Sequence, residues 1–324
     1  MSQNLANKEA LFNEVKGSLF EYLMARRLSK LAGRELEFLE SLDKNYLNVL
    51  SQQDRMVRQF YPEMLLFLDQ VSEMSANHLV EYLGEIPLLP ELRGKFETLS
   101  EADLLLSYSK GEIPLSLKLN KKNSFVNTKS GGIKSFFTHY FSFLALRIQE
   151  EFNRLVDQEY NRMAHELHAL NDMDYSGSFS AWVSKGKSEL PGELEPLERV
   201  VLKSFYARIA TKMHEILSNA KKAHTSAFIS ALPRLMGFSN PNILQLICFH
   251  DFKSGGSGTV AIHAYSEVKS VLDSVVIQPF NQTSSVELSL GDWSLQIRVK
   301  PMNKFTTTAI KINCSVRFKP SEEL

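Results

Sequence analysis

The apolar positions change period along the chain, and those changes mark its expected elements. From residue 7 to 31, Leu11, Phe12, Val15, Leu19, Leu23 and Leu31 recur at helical spacing, with Gly33 where a C-terminal cap belongs. Residues up to about 92 read as helices, and Met64, Leu65, Phe67, Leu68 and Val71 give a second stripe over 61–73. Residues 103–120 switch to period two. A two-residue turn at Lys110-Gly111 would join two strands and set Leu105 opposite Ser116 and Asp103 opposite Lys118. Asp103, Ser116 and Lys118 then share one face, while Leu104, Leu106, Leu115, Leu117 and Leu119 share the other. Helical spacing returns over 133–170, and 171–196, with its Asp, Ser, Gly and Pro residues, reads as a surface loop or linker. A helix is expected over 197–222. Six strand runs follow, at 244–249, 259–265, 271–279, 285–290, 295–300 and 308–318, punctuated as in a mainly antiparallel sheet.

This order predicts an α/β (α+β) chain in three parts: a helical N-terminus with a core at 1–170, a loop or linker at 171–196, and a helix plus a β-rich region at 197–324. At 324 residues it is long enough for a large core. No apolar run approaches the roughly 20 residues that cross a bilayer, and residues 1–10 are polar, so neither a membrane span nor a leader is expected. Cys248 and Cys314 are too few for a disulfide framework or a cysteine zinc site, and the cytoplasm is the expected compartment.

The chemistry concentrates on the hairpin. Glu101-Ala102-Asp103 followed by Ser116-Leu117-Lys118 resembles the PD-(D/E)xK nuclease superfamily, best known from type II restriction endonucleases. There, an acidic residue on one strand and a D/E/Q/S-x-Lys tripeptide on the next share a divalent metal and the scissile phosphate. The resemblance covers about the first third of the chain. Ala102 stands for the proline of the motif, and Ser116 for the usual second carboxylate. It implies a restriction-endonuclease-like mixed central sheet flanked by helices, with Mg²⁺ held by Asp103, Ser116 and a further acid, and Lys118 beside the attacking water. Glu21 is the candidate for that acid. It lies in Gly17-Ser18-Leu19-Phe20-Glu21, similar to the Gly-x-x-x-Glu of the family's first core helix, and Gly17, Ser18 and Ala25 form a small-residue strip beside it. Glu101 and Glu112 are other acids within reach in sequence.

The chain has 37 basic and 37 acidic residues, yet 113–149 contains no acid and holds Lys118, Lys121, Lys122, Lys129, Lys134 and Arg147. Asn120-Lys121-Lys122-Asn123-Ser124 and Asn127-Thr128-Lys129-Ser130-Gly131-Gly132 read as polar loops able to donate to phosphate oxygens, the second leading into a helix start at Ile133-Lys134. Residues 293–320 are also free of acid and rich in base: Arg298 and Lys300 share a strand face, as do Lys311 and Arg317, with Lys304 between the strands. His165 and His168, one helical turn apart, are discounted as a metal pair for want of a third ligand, and Ser254 to Gly258 as a hairpin loop without a phosphate-loop ending. The expected activity is Mg²⁺-dependent hydrolysis of double-stranded DNA by a homodimeric type II restriction enzyme, leaving 5′-phosphate and 3′-hydroxyl ends. The alternatives are a noncatalytic DNA-binding protein with a decayed site and a nuclease of repair, phage or defence systems without site specificity.

Overall fold

A computed structural model of the chain describes residues 2–92, 101–121, 124–250, 258–301 and 304–318, and of residues 2–11, 13 and 301 the backbone alone. In chain order the elements are α1 (Ser2–Leu31), α2 (Glu35–Ser41), α3 (Lys44–Phe60), α4 (Pro62–Leu83), β1 (Pro90–Leu92), β2 (Leu104–Tyr108) and β3 (Gly111–Lys121). They continue with β4 (Val126–Gly132), α5 (Phe136–Tyr140), α6 (Leu146–Ala169), α7 (Ser180–Ser184), α8 (Pro196–Ala223), α9 (Thr225–Leu235), β5 (Leu244–His250) and β6 (Thr259–Ala264). The last are α10 (Tyr265–Val271), β7 (Val275–Ile277), β8 (Ser285–Leu290), β9 (Trp293–Pro301) and β10 (Ile310–Arg317). Among the described residues, no helix is long and apolar enough to cross a membrane.

The chain forms two compact units, and neither is continuous: residues 1–124, 238–268 and 320–324 make unit 1, and 125–237 and 269–319 make unit 2. The boundaries therefore fall at 125, 238 and 269, where a three-part reading had them at 171 and 197. Residues 171–196 are not a linker but a packed part of unit 2. Trp182 of α7 is fully buried against His168, Phe179 and Phe305, and its indole N–H donates to Ser188 O at 2.8 Å. Glu198, in the first turn of α8, accepts from Lys187 Nζ at 2.8 Å, Asn171 Nδ2 at 3.1 Å and Glu195 N at 2.9 Å, closing a capping box. His168 itself is buried in that aromatic cluster with Nδ1 bonded to Ala164 O at 2.7 Å, so it belongs to a core rather than to a solvated helix face.

Unit 1 is a five-stranded mixed sheet in the order β1-β2-β3-β5-β6, in which only β3 and β5 run parallel. Its Leu-rich face (Leu104, Leu106, Leu115, Leu117, Leu244, Leu246) joins one core with Val15, Leu19, Phe20, Met24 and Leu28 of α1 and Leu68, Val71 and Leu79 of α4. The cap expected at Gly33 forms, and α3 has one at Asp43. Past α1, Gly33 turns left-handed at φ 70° and Arg34 N–H reaches back to Ser29 O at 2.8 Å. Asp43 accepts from the N–H groups of Asn45 and Tyr46 at the start of α3.

Unit 2 is an antiparallel sheet in the order β4-β10-β9-β8-β7. Leu288, Leu290, Leu295, Ile297, Val299, Ile312, Cys314 and Val316 are buried on one face, against helices that include α8. The expected single β-rich region is thus split: 244–249 and 259–264 complete the sheet of unit 1, and the remainder belongs to unit 2. Residues 265–274, partly expected as strand, are α10 and a 3₁₀ turn, and the expected helix over 133–170 breaks into a 3₁₀ turn, α5 and α6. The break is held by buried Gln149, whose Oε1 accepts Phe137 N at 2.7 Å and whose Nε2 donates to Ile133 O at 3.3 Å.

Trp182→Ala should cost about 3–5 kcal/mol, as truncation of a buried aromatic does, read as a lower urea midpoint of the full chain. A substitution on a mere linker would leave that midpoint unmoved.

Candidate functional site

The β2–β3 hairpin forms two residues out of the expected register. Tyr108 pairs with Gly111 and Leu105 with Pro114, so the turn is Ser109-Lys110 and Asp103 comes level with Ser116 rather than Lys118. Two local constraints set this. Gly111 takes φ 131°, which only glycine adopts without strain, and Glu85 accepts from Ser109 Oγ at 2.9 Å. Because every partner moves by two positions, the faces are conserved: Asp103 and Ser116 remain on the side opposite the leucines.

Asp103 sits just before β2. Its Oδ2 accepts from Leu117 N at 2.7 Å, from Ser116 Oγ at 3.3 Å and from Lys118 Nζ at 3.4 Å. The Asp103 side chain is 6% exposed and that of Lys118 28%, so the ammonium is the group that opens toward solvent. The structure thus brings together the carboxylate, hydroxyl and ammonium that the motif singles out.

Glu21 is half-buried on α1, the helix packed on the leucine face, and its charge helps raise the pKa of the Tyr46 phenol, after burial, the larger cause. Gly17 does not serve a close approach, since no described atom lies within 4 Å of where its Cβ would stand. Glu101 is committed to Ser239, accepting its N–H at 2.9 Å and its hydroxyl, and Glu112 is exposed at the hairpin end. Among the described residues, no group of three or more His, Cys, Asp or Glu side chains gathers as a metal site.

Three residues join this picture that the sequence did not single out. Gln245 of β5 is the register partner of Ser116 and is buried, and His263 of β6 is the partner of Gln245, bonded through Nδ1 to Glu267 at 2.9 Å. A polar row therefore crosses the sheet from Asp103 through Ser116 and Gln245 to His263. Its sequence signal was a glutamine inside the apolar run Leu244 to Phe249. Lys16 of α1 has its pKa lowered by burial and then by the nearby Lys121, which adds a second cation at the end of β3.

The expected DNA-contact residues are distributed as follows. Asn120 braces its own loop, donating to Ser124 O at 3.2 Å and Oγ at 2.9 Å, while Lys121 is exposed; Lys122 and Asn123 lie outside the described residues. The 127–132 segment is not a loop but strand β4, paired with β10. Ser130 stands opposite Asn313 and Lys129 opposite buried Cys314, so those two neighbours face opposite ways. Lys134 is ion-paired to Asp157 at 2.6 Å and Lys304 to Glu189, which also accepts from Thr306 at 2.7 Å, so both cations are tied to acids within unit 2. Arg298, Lys300 and Lys311 share the outward face of β9 and β10, and Lys311 is the register partner of Lys300.

Removing the Asp103 carboxylate strands a buried N–H and an ammonium. Asp103→Ala should therefore lower stability by about 1–3 kcal/mol in urea denaturation, whatever its effect on any reaction. The Lys304 contact makes a pH-dependent forecast. Lys304 and Thr306 hold the Glu189 carboxyl below its ordinary range, so their stabilisation is complete above that range and is lost as pH falls through the lowered value. Wild type and Lys304→Ala should differ in melting temperature at neutral pH and converge in acid. In comparisons with known proteins the chain matches no family model, no curated protein and no solved structure.

Proposed function

We propose that the chain is a Mg²⁺-dependent endonuclease of the PD-(D/E)xK type, with double-stranded DNA as substrate and the Asp103–Ser116–Lys118 cluster as its centre. The observation that carries this reading is the convergence of those three side chains on Asp103 Oδ2, from strands whose pairing holds them rigidly. The order of the sheet supports it: β1, β2 and β3 antiparallel, β5 parallel to β3 and α1 against the leucine face suit a restriction-endonuclease-like core. Cleavage of both strands with one centre per chain calls for a homodimer. The two free, buried cysteines suit a cytoplasmic protein.

The donor set accommodates Mg²⁺ in a limited way. Asp103 offers a carboxylate and Ser116 a hydroxyl, both hard oxygen donors, and Mg²⁺ commonly takes only one or two protein carboxylates and fills its octahedron with water and phosphate. Glu21 does not complete the set: its helix α1 packs on the leucine face, across the sheet from Asp103, so the remaining positions fall to water and phosphate oxygens. When bound, the ion polarises the phosphodiester and makes water more acidic. The protein's own part is positional. Lys118 Nζ, partly exposed and fixed 3.4 Å from Asp103, orients a water against the phosphate and offsets the negative charge that builds on the phosphate oxygens. Leu117 N–H donates to the same Asp103 oxygen at 2.7 Å and so holds the carboxylate in one orientation, which spares it reorganisation during the reaction.

A noncatalytic DNA-binding protein is the second reading, favoured by the neutral Ser116 in a carboxylate position and by the three donors already gathered on Asp103 Oδ2. One assay decides between them. Bacteriophage DNA incubated with the purified chain and Mg²⁺ should yield discrete fragments, absent with EDTA and reduced about a hundredfold or more in rate by Lys118→Ala. Intact DNA across several metals and DNA sources would favour the binding protein, and a smear a nuclease without site specificity.

A further inference from the structure

The sheet of unit 2 is one-sided, and its outward face has a composition that its inward face does not explain. Cross-strand partners share a face, so the registers of β4, β10 and β9 line up two outward rows. One is Ser130–Asn313–Arg298, and the next is Gly132–Lys311–Lys300. The backbone positions of the three cations stand within about 8 Å of one another along and across the strands, from the ordinary strand rise and spacing. Among the described carboxylates none forms an ion pair with Arg298, Lys300 or Lys311, whereas Lys134 and Lys304 of the same unit are both neutralised. Like charges placed directly opposite, as Lys300 and Lys311 are, weaken a sheet unless something outside it compensates. Lys300 feels this: burial, then Lys311 and Arg298, lower its pKa.

We infer that this face of unit 2 binds the phosphate backbone of double-stranded DNA, with Arg298, Lys300 and Lys311 as the phosphate contacts and Asn313 beside them as a base-edge or backbone donor. It rests on the reading above only for the choice of DNA as the polymer. Charge complementarity selects a polyanion. Nucleic acid is the polyanion that also uses the amide and hydroxyl groups set between the cations, since Asn and Arg are the side chains that read base edges and phosphates together. Ser130 Oγ donates to Asn313 Oδ1 at 2.9 Å, which fixes the amide with its N–H₂ end turned elsewhere. The duplex is preferred to a single strand because the outward positions of these three strands are Ser, Asn, Gln, Gly, Lys and Arg, and the neighbouring Phe125 ring is already covered by the Arg317 guanidinium, 4.3 Å from its centroid. Gly132, with no side chain, leaves the Lys311 edge of the patch low, and on the other side Glu287, bonded to Gln296 at 3.0 Å, marks where the basic surface ends.

The test is fluorescence anisotropy of the full chain in EDTA with a labelled 30-base-pair duplex, over a series of salt concentrations. The variants are Arg298→Glu, Lys311→Glu and, as a control of equal charge change elsewhere on unit 2, the exposed Lys269→Glu. Each face variant should weaken duplex binding about tenfold or more and flatten the slope of log affinity against log salt by about one for each phosphate no longer neutralised, with Lys269→Glu changing neither. Arg298→Gln, which keeps most of the side chain, serves if the reversals alter the melting curve. Wild-type affinity in folded face variants, or an equal loss in Lys269→Glu, overturns the inference. Tighter binding to single strands or to heparin than to duplex overturns its choice of ligand. The cleavage assay fails separately: weakened binding in the face variants with no cleavage by wild type removes the nuclease reading alone, while cleavage with unchanged binding removes this one.

Discussion

Unit 1 depends on the parallel pairing of β3 with β5. Leu115 through Lys121 align with Leu244 through His250, and this register joins a hairpin from the first third of the chain to strands more than a hundred residues later. Neighbouring parallel strands cannot be joined by a tight turn and need a crossover. Here the crossover is most of unit 2. The pairing has two chemical consequences. It covers the second edge of β3, which fixes the strand that carries Ser116 and Lys118, and it brings Gln245 beside Ser116. The leucine face buried under α1 and α4 then makes the register costly to change, because a one-residue slip would turn Leu115 and Leu117 away from the core and Ser116 and Lys118 into it.

What could be read from the sequence follows the range of the interactions that decide each feature. The hairpin's two faces were legible because alternation is local, and they survived an error in the turn since the correction was an even number of residues. The turn itself was settled by Glu85, twenty-four positions away from Ser109, and by a φ value at Gly111 that composition does not reveal. The sheet partners of β5 and β6 were not legible, since nothing in their alternation says which strand they join. Nor was β4: Val-Asn-Thr-Lys-Ser-Gly-Gly has a loop's composition and becomes a strand through its pairing with β10, with Thr128 Oγ1 donating to Leu235 O at 2.6 Å and to Cys314 O at 3.0 Å.

The basic character of the two acid-poor segments was visible, but its availability was not. Lys134 and Lys304 are held by Asp157 and Glu189, acids that lie outside the segments and so did not enter a count made along the sequence. Charge segregation in sequence therefore overstated the free positive surface of unit 2 and located it too broadly. The cross-strand registers group Arg298, Lys300 and Lys311 together on the outward face, with Arg317 farther along β10 over the Phe125 ring. In the same way, the sequence motif does not show that Asp103 is a buried acceptor for the β3 backbone, with one oxygen shared between Leu117 N–H and the Lys118 ammonium.

The interleaving of the two units bears on how the protein is made. Until residue 244 leaves the ribosome, β3 has no partner on one side, and until residue 310 does, β4 has none at all among the described strands. Both β-sheets must therefore close after most of the chain has been synthesised, and their closure is a long-range search rather than a sequential one. A nascent chain halted between 124 and 238 would present the Leu-rich β3 as a bare edge, the kind of surface on which strands from neighbouring chains pair. Synthesis and assembly of this protein thus carry a vulnerable interval whose length is set by unit 2.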